Sequence, residues 1–257
     1  MRGWIIGLAL CAAAQAASAA ELRLAYADQE VPPYYAGNGP EIPPKPGVVI
    51  EMVQRLLADS PHTLILTRLP ARRLHEEIRA GRQDGLIGTR YTPDRAAIMA
   101  YPTRAGGPDA RRLLASVRYV LYARRETPVR WDDAGLRDFY GALGIPSGVT
   151  ALHRLKGMDR VATVEAPNSH QLFSMLARGR ITAVVMLGAS GDRYVGEFEG
   201  AEIVRLDPPL LTEDFYIPFT RSFYEANRDF VEAFWQRLEQ QRDSLFAELL
   251  PGYRLSP

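Results

Sequence analysis

Residues 169–187, SHQLFSMLARGRITAVVML, carry the clearest structural signal in the chain. Ser169, Leu172, Phe173, Leu176 and Ala177 fall on one stripe of a helix, and Gly179 is placed to end it in the left-handed conformation that glycine adopts at low cost. From Thr182 to Leu187 the chain turns apolar and β-branched, as a buried strand does. Working upstream, 161–164 and 141–145 read as strands, with a helix starting at about Thr150 between them. The order strand, helix, strand, helix, strand also occurs nearer the N-terminus. There 22–27, 63–67 and 84–88 read as strands and 74–80 as a helix ended by Gly81, while Val49, Met52, Val53, Leu56 and Leu57 mark a helical stripe. Two such units predict an α/β protein of two lobes, each a mostly parallel sheet flanked by helices.

Two more apolar, strand-like stretches lie between and after the units, at 117–123 and 215–220. They predict two crossings between the lobes, and hence a two-strand hinge. A terminal helical region, 223–250, has Phe223, Phe230, Phe234 and Leu245 to pack back on the first lobe. The expected division is a signal peptide at 1–20, lobe 1 at 21–119 plus 217–257, and lobe 2 at 120–216. The Pro/Gly-rich stretch 32–47 reads as a loop at a cleft rim.

The first twenty residues read as an export signal: Arg2 precedes an apolar stretch from Trp4 to Cys11, and Ala17-Ser18-Ala19 is a small-residue cleavage pattern. That stretch is shorter than the ~20 residues a spanning helix needs. Lipoprotein processing at Cys11 is disfavoured by Leu10, which stands where a small residue is normally wanted. Cys11 is the only cysteine, so the rest of the chain has no thiol for a disulfide, a metal or nucleophilic catalysis. Export places the protein in the periplasm, held by its core alone. Lys plus Arg (31) nearly balances Asp plus Glu (30), which leaves no long-range field favouring nucleic acid or a membrane surface.

Several short motifs, in order, resemble the periplasmic solute-binding proteins of amino-acid-type ABC importers, bacterial family 3, over essentially the whole chain after the leader. These are Val31-Pro32-Pro33-Tyr34-Tyr35, Gly47 before the first helix, Pro70 and Arg73 ahead of Ala80-Gly81-Arg82-Gln83-Asp84, and Tyr91-Thr92-Pro93-Asp94-Arg95. Gly144-Ile145-Pro146-Ser147-Gly148-Val149-Thr150 and Leu176-Ala177-Arg178-Gly179-Arg180-Ile181-Thr182-Ala183-Val184 continue the series. No one of them is decisive, but their order and spacing together are a strong signal. The resemblance implies a type II binding-protein fold that closes on a small ligand between its lobes. The expected partners are that ligand and an ABC permease or membrane receptor, with the protein a monomer and no cofactor.

The resemblance puts Arg95 on the ligand carboxylate, and Thr92 with Pro93 at a helix start adds backbone N–H groups nearby. The plain alternative for Arg95 is a surface pair with Asp94. Gly148 and Thr150 would face it from the second lobe, or form an ordinary capped turn. Tyr34 and Tyr35 are candidates for an aromatic wall, Tyr216 is a weaker one, and Arg73 would add positive potential unless it lies on a solvated helix start. Arg90 stands where amino-acid binders carry a small hydroxyl residue, so it either fills the pocket or points out. Leu187 stands where they place an aspartate for the ligand ammonium, and leucine cannot balance a buried cation. The expected ligand is therefore anionic or carboxylate-bearing, unless Asp192, Asp207 or Asp214 supplies the missing charge.

Catalysis and metal chemistry find little support. His62, His75, His153 and His170 lack metal-ligand spacing, and His75-Glu76-Glu77 reads as a solvated helix face. Gly144 to Thr150 has no lysine for a phosphate loop, and Gly188-Ala189-Ser190-Gly191 is not a serine-nucleophile elbow. Two alternatives share the fold the resemblance implies: a periplasmic cyclohexadienyl dehydratase, for which no general acid is identifiable from spacing, and a sensor module serving a receptor or dehydrogenase system.

Overall fold

The computed structural model describes residues 20–132, 135–146, 161–166 and 169–253. Most of the expected leader, the helix expected from about Thr150, and both Gly148 and Thr150 lie outside the described residues.

The first βαβαβ unit consists of β1 (Glu21–Ala27), α1 (Val48–Leu56), β2 (Thr63–Leu69), α2 (Ala71–Arg79) and β3 (Gly85–Leu86). In β1 the alternate residues Leu22, Leu24 and Tyr26 are fully buried, and β1 runs parallel to β2 in unbroken register from Glu21↔Thr63 to Ala27↔Leu69. The apolar stripe read in α1 is its buried face. Beyond β3 come β4 (Thr89–Arg90), α3 (Pro93–Ile98), β5 (Met99–Ala100) and a hairpin of β6 (Thr103–Arg104) and β7 (Gly107–Pro108).

β8 (Ala115–Arg124) then carries the chain into a second sheet. It is followed by the hairpin β9 (Arg130–Asp132) and β10 (Gly135–Arg137), then β11 (Ala142–Pro146), β12 (Ala162–Ala166), α4 (Ser169–Ala177), β13 (Ala183–Leu187) and α5 (Gly188–Glu197). The return path is β14 (Ile203–Tyr216), β15 (Phe219–Thr220), α6 (Arg221–Ala226) and α7 (Arg228–Leu249).

The sheets are ordered β2-β1-β3-β15-β5 and β12-β11-β13-β8-β14-β4. Each contains a parallel trio, extended on one side by antiparallel strands. The fold is thus the two-lobed α/β architecture expected from the repeated unit, with β8 and β14 as the paired connections. α7 returns to the first sheet, where Phe234, Trp235 and Leu238 join the core of Leu22, Leu24 and Val49. The Trp235 indole also donates to the Ile217 carbonyl at 2.8 Å.

β14 and α5 are two of the elements that differ from the sequence reading. β14 begins twelve residues before the expected crossing at 215–220 and ends at Tyr216, its register shifting between Leu206 and Leu211 so that Pro208 and Pro209 sit in the irregularity. α5 was not expected, because its three glycines oppose helix formation. Gly191 is needed there, since a Cβ at that position would overlap the Tyr122 ring.

The long loop 28–47 has its own anchor in Arg68, a buried side chain on β2. Its guanidinium donates to the carbonyls of Glu41, Asp28 and Gly37 at 2.6, 3.2 and 2.5 Å and lies 5.5 Å from the centre of the Tyr26 ring. The loop then enters α1 through Gly47 (φ 112°), where a Cβ would overlap the Tyr34 carbonyl and the Tyr35 backbone. Both the conformation and the contact demand glycine. Gly47→Ala is expected to lower stability by about 2 kcal/mol or more, a fall of roughly 4–8 °C in Tm by thermal denaturation. An unchanged Tm would show that the loop entry is not constrained as described.

Candidate functional site

The carboxyl ends of β1 and β3 and the near ends of β8, β13 and β14 surround a cavity of about 250 Å³. From the first-lobe segments come Gln29, Val31, Tyr34 and Tyr35 of the loop, His75 of α2, Thr89 and Arg90 of β4 and Arg95 of α3. The second sheet presents Val117 and Tyr119 of β8, Leu187 of β13, and Glu213 and Phe215 of β14. Across the cleft, the Ser190 hydroxyl at the start of α5 donates to the Pro32 carbonyl at 2.8 Å, so the two sides touch.

Arg95 lines the cavity. Thr92 caps α3, its Oγ1 accepting from the Arg95 N–H at 3.3 Å with Pro93 behind it, as the sequence reading anticipated. That bond commits the Thr92 hydroxyl to capping, and Thr92 is not in the cavity wall. The Arg95 guanidinium donates one bond to the Arg90 carbonyl at 3.2 Å, which also accepts from the Tyr101 hydroxyl at 2.9 Å. Arg95 has no ion pair among the described residues. Burial pulls its pKa below the ordinary arginine value, and the Arg90 charge adds to that, although a guanidinium remains a cation at neutral pH.

Arg90 fills the pocket rather than pointing out, and its guanidinium pairs with the buried Glu213 carboxylate at 2.5 Å. β4 brings the two together by pairing Arg90 with Phe215, two residues from Glu213. Among the described lining residues the charges are therefore two guanidinium cations and one carboxylate, the carboxylate being held by Arg90. Asp192 bonds the Tyr122 hydroxyl at 2.6 Å and Arg205 at 3.1 Å, Asp207 lies 3.5 Å from Arg205, and neither they nor Asp214 line the cavity.

The Tyr35 ring is tilted against that of Tyr26 (5.6 Å between ring centres), and its hydroxyl donates to the Ile87 carbonyl at 3.4 Å. Burial raises the phenols of both Tyr34 and Tyr35, so both stay neutral. Tyr119 is pushed up to about 12 by burial and then by the Glu213 charge. Arg73 is exposed on α2 and Tyr216 is buried in another cluster with Ala25, Leu86 and Tyr101; neither lines the cavity. Gly148 and Thr150 fall outside the described residues.

Glu213 and His75 are two ionisable wall residues among those not read as site residues from sequence. Glu213 sits on the same side of β14 as Leu211 and Phe215, and a carboxylate at an apolar position of a period-2 strand was the available signal. His75 is half-buried, one turn from Ala71 and beside the inward stripe of Leu74 and Ile78, not on a solvated face. Burial lowers its pKa below 6.5, and the charges of Arg95 and Arg79 add to this. The unfolded chain therefore holds more protons here than the folded one as pH falls through 6.5, and stability is lost in that direction. His75→Gln is expected to lose less stability than the parent between pH 7.5 and pH 5.5 in urea titrations; parallel losses would show that folding does not lower the His75 pKa.

Among the described residues, no helix is long and apolar enough to cross a membrane, and no group of three His, Cys, Asp or Glu side chains is placed to hold a metal ion.

No family model matches the sequence, and no curated protein matches it. Solved structures do. An amino acid ABC transporter substrate-binding protein, AbpA from Streptococcus pneumoniae, bound to L-arginine, superposes with a TM-score of 0.61 at 12% identity over 91% of this chain and 96% of that one. Holo ArgBP from T. maritima gives 0.56 at 16% identity over 85% and 90%. A histidine kinase sensor domain with similarity to periplasmic binding proteins gives 0.60 at 17% identity over 93% and 99%. At these identities the likeness is one of architecture, and it agrees with the strand order and paired connections described above: the chain has the two-lobed fold of type II periplasmic binding proteins.

Proposed function

We propose that the protein is an extracytoplasmic solute-binding protein that closes on a small carboxylate-bearing ligand and presents it to an ABC permease or membrane receptor. In this reading the lobes are 21–119 with 217–257 and 120–216. The observation that carries it is Arg95, a half-buried guanidinium without an ion pair among the described residues, facing a cavity lined by segments of both sheets. A carboxylate there gains charge-assisted hydrogen bonds, about twice as strong as neutral ones. Tyr34, Tyr119, Leu187 and Phe215 supply apolar surface for the remainder of the ligand.

Because Leu187 ends β13 without a charge, and Glu213 is engaged by Arg90, an ammonium entering this cavity lacks a dedicated partner. That favours an acid over a free α-amino acid, whatever the binding proteins of similar fold take up. The likeness to a sensor domain is compatible with a receptor as partner, since a closed liganded form serves as a signal in either setting.

A thermal-shift screen over amino acids, mono- and dicarboxylates and aromatic acids tests the reading. A ligand at about 100 times its Kd adds ~2.7 kcal/mol of stability. The expected hits are acids, and Arg95→Ala should weaken them at least tenfold in calorimetry. Undiminished affinity in that variant would remove the anchor. Leu187→Asp is expected to shift the hits toward α-amino acids and away from simple acids; the opposite shift would show that the end of β13 does not face the ligand.

A further inference from the structure

Beside the cavity, and sharing Tyr34 and Leu187 with it as a common wall, is a second niche of about 210 Å³. Its remaining wall is basic and polar: Arg118 and Ser116 of β8, Arg205 of β14, and the first turn of α5 at Gly188. The strand pattern explains how two cavities of different character meet here. Alternate residues of β8 face opposite sides, so Val117 and Tyr119 line the first cavity while Ser116 and Arg118 line the second. β13 pairs with β8 only as far as Leu187↔Tyr119, and where it stops the two sides of the sheet communicate around its end.

The two arginines of the niche differ. Arg205 is tied to Asp192 at 3.1 Å and lies 3.5 Å from Asp207, which fixes its position and offsets its charge. Arg118 is exposed, and its guanidinium has neither a hydrogen bond nor an ion pair among the described residues. Its charge is felt at the Tyr34 hydroxyl, where it opposes the effect of burial. Leu187 offers no side-chain cap to α5, so the first N–H groups of that ten-residue helix are not claimed by a capping side chain. Neither Asp192 nor Asp207 lines the niche, so a cation placed there meets arginine, whereas an anion meets a free guanidinium and a hydroxyl.

We propose that this niche is a second anion subsite, and that the ligand is an elongated dianion. One anionic group is held at Arg95 and the other at Arg118, with an apolar middle lying across Tyr34 and Leu187. The inference deepens the reading of the first cavity as the ligand site and rests on it. The second group is a carboxylate or a phosphonate-like anion, both of which a guanidinium fork accepts.

The test is calorimetry on the full chain with α,ω-dicarboxylates of increasing length, aliphatic and aromatic, against two comparison sets. One is the half-amides, in which one carboxylate is replaced by a neutral group of the same shape; the other is ω-phosphonocarboxylates, which show which second anion fits better. At one chain length the diacid should bind at least tenfold more tightly than its half-amide. Arg118→Ala should bring the diacid down to the level of the half-amide, Arg118→Lys should keep part of the preference, and Arg95→Ala should weaken both ligands. Because Arg118 is exposed, folding is not at risk. A diacid preference that survives Arg118→Ala, or no preference at any length while Arg95 still matters, overturns the second subsite and leaves the first cavity standing. If acids fail to bind, or bind without regard to Arg95, the reading of the first cavity falls and the dianion falls with it.

Discussion

One buried cation holds the floor of the cleft in shape. Arg68 rises from β2 beneath the loop 28–47, its two terminal nitrogens donating to three loop carbonyls and its guanidinium lying against the face of Tyr26, while its buried Nε has no hydrogen-bond partner and no carboxylate is paired to it among the described residues. Carbonyl dipoles are a workable solvent for a guanidinium because its charge is delocalised and its donors are arranged as a planar fork. The fork divides the work: one terminal nitrogen serves Glu41 and the other serves both Asp28 and Gly37, a spread that a single ammonium nitrogen does not match. With the loop fixed at Asp28, Gly37 and Glu41, its Tyr34-Tyr35 segment is delivered against the start of α1. There the Pro33 and Tyr34 carbonyls accept from the Val48 and Val49 N–H groups at 3.0 and 3.3 Å. The aromatic wall of the cavity is thus placed by backbone bonds and one side chain remote from any ligand.

The other wall depends on β8 and β14. Their long antiparallel pairing makes them a single ribbon, and β4 attaches to its edge through Arg90↔Phe215 and Thr89↔Tyr216. A segment that belongs by sequence to the first unit is therefore hydrogen-bonded into the second sheet at the level of the cavity. The Arg90–Glu213 pair reinforces the same junction. Glu213 is almost fully buried, and a buried carboxylate must keep a partner, so the pair fixes where β4 sits and, through the Arg90 carbonyl, where Arg95 points.

Much of the architecture is legible in the sequence because the helices are amphipathic and the core strands apolar, and both periods survive without knowledge of tertiary contacts. The readings fail where a local preference is overruled. Pro208 and Pro209 break the strand signal of β14, yet the irregularity opposite β8 absorbs them. Three glycines argue against α5, yet the close packing of Gly191 on Tyr122 requires one of them. Where a candidate residue lies outside the cavity, the reason is phase. Arg73 lies two residues from both Ala71 and His75, about half a helical turn away from the face they share, and so points to solvent. Tyr216 is one residue past Phe215, which on a strand turns it to the opposite side. Identifying a motif locates a segment; only the register decides which of its residues reaches the cavity. Glu213 and His75 are the complement of this, residues without a motif that the register carries inward.

The charge distribution also bears on how closure is coupled to ligand. Arg95 is half removed from water while Arg90 stands beside it and Glu213 is already engaged, so it is a cation with poor compensation among the described residues. On the proposed reading, an open form would hydrate the same guanidinium and remove that penalty. An anionic solute reverses the balance, because its charge compensates Arg95 most strongly where water has been excluded. On the proposed reading, the differential affinity that a population shift requires arises from the electrostatics of Arg95. The Ser190 hydroxyl meets an uncharged carbonyl at Pro32, so on the proposed reading this contact bears on how far the lobes approach and not on the charge of the solute that brings them together.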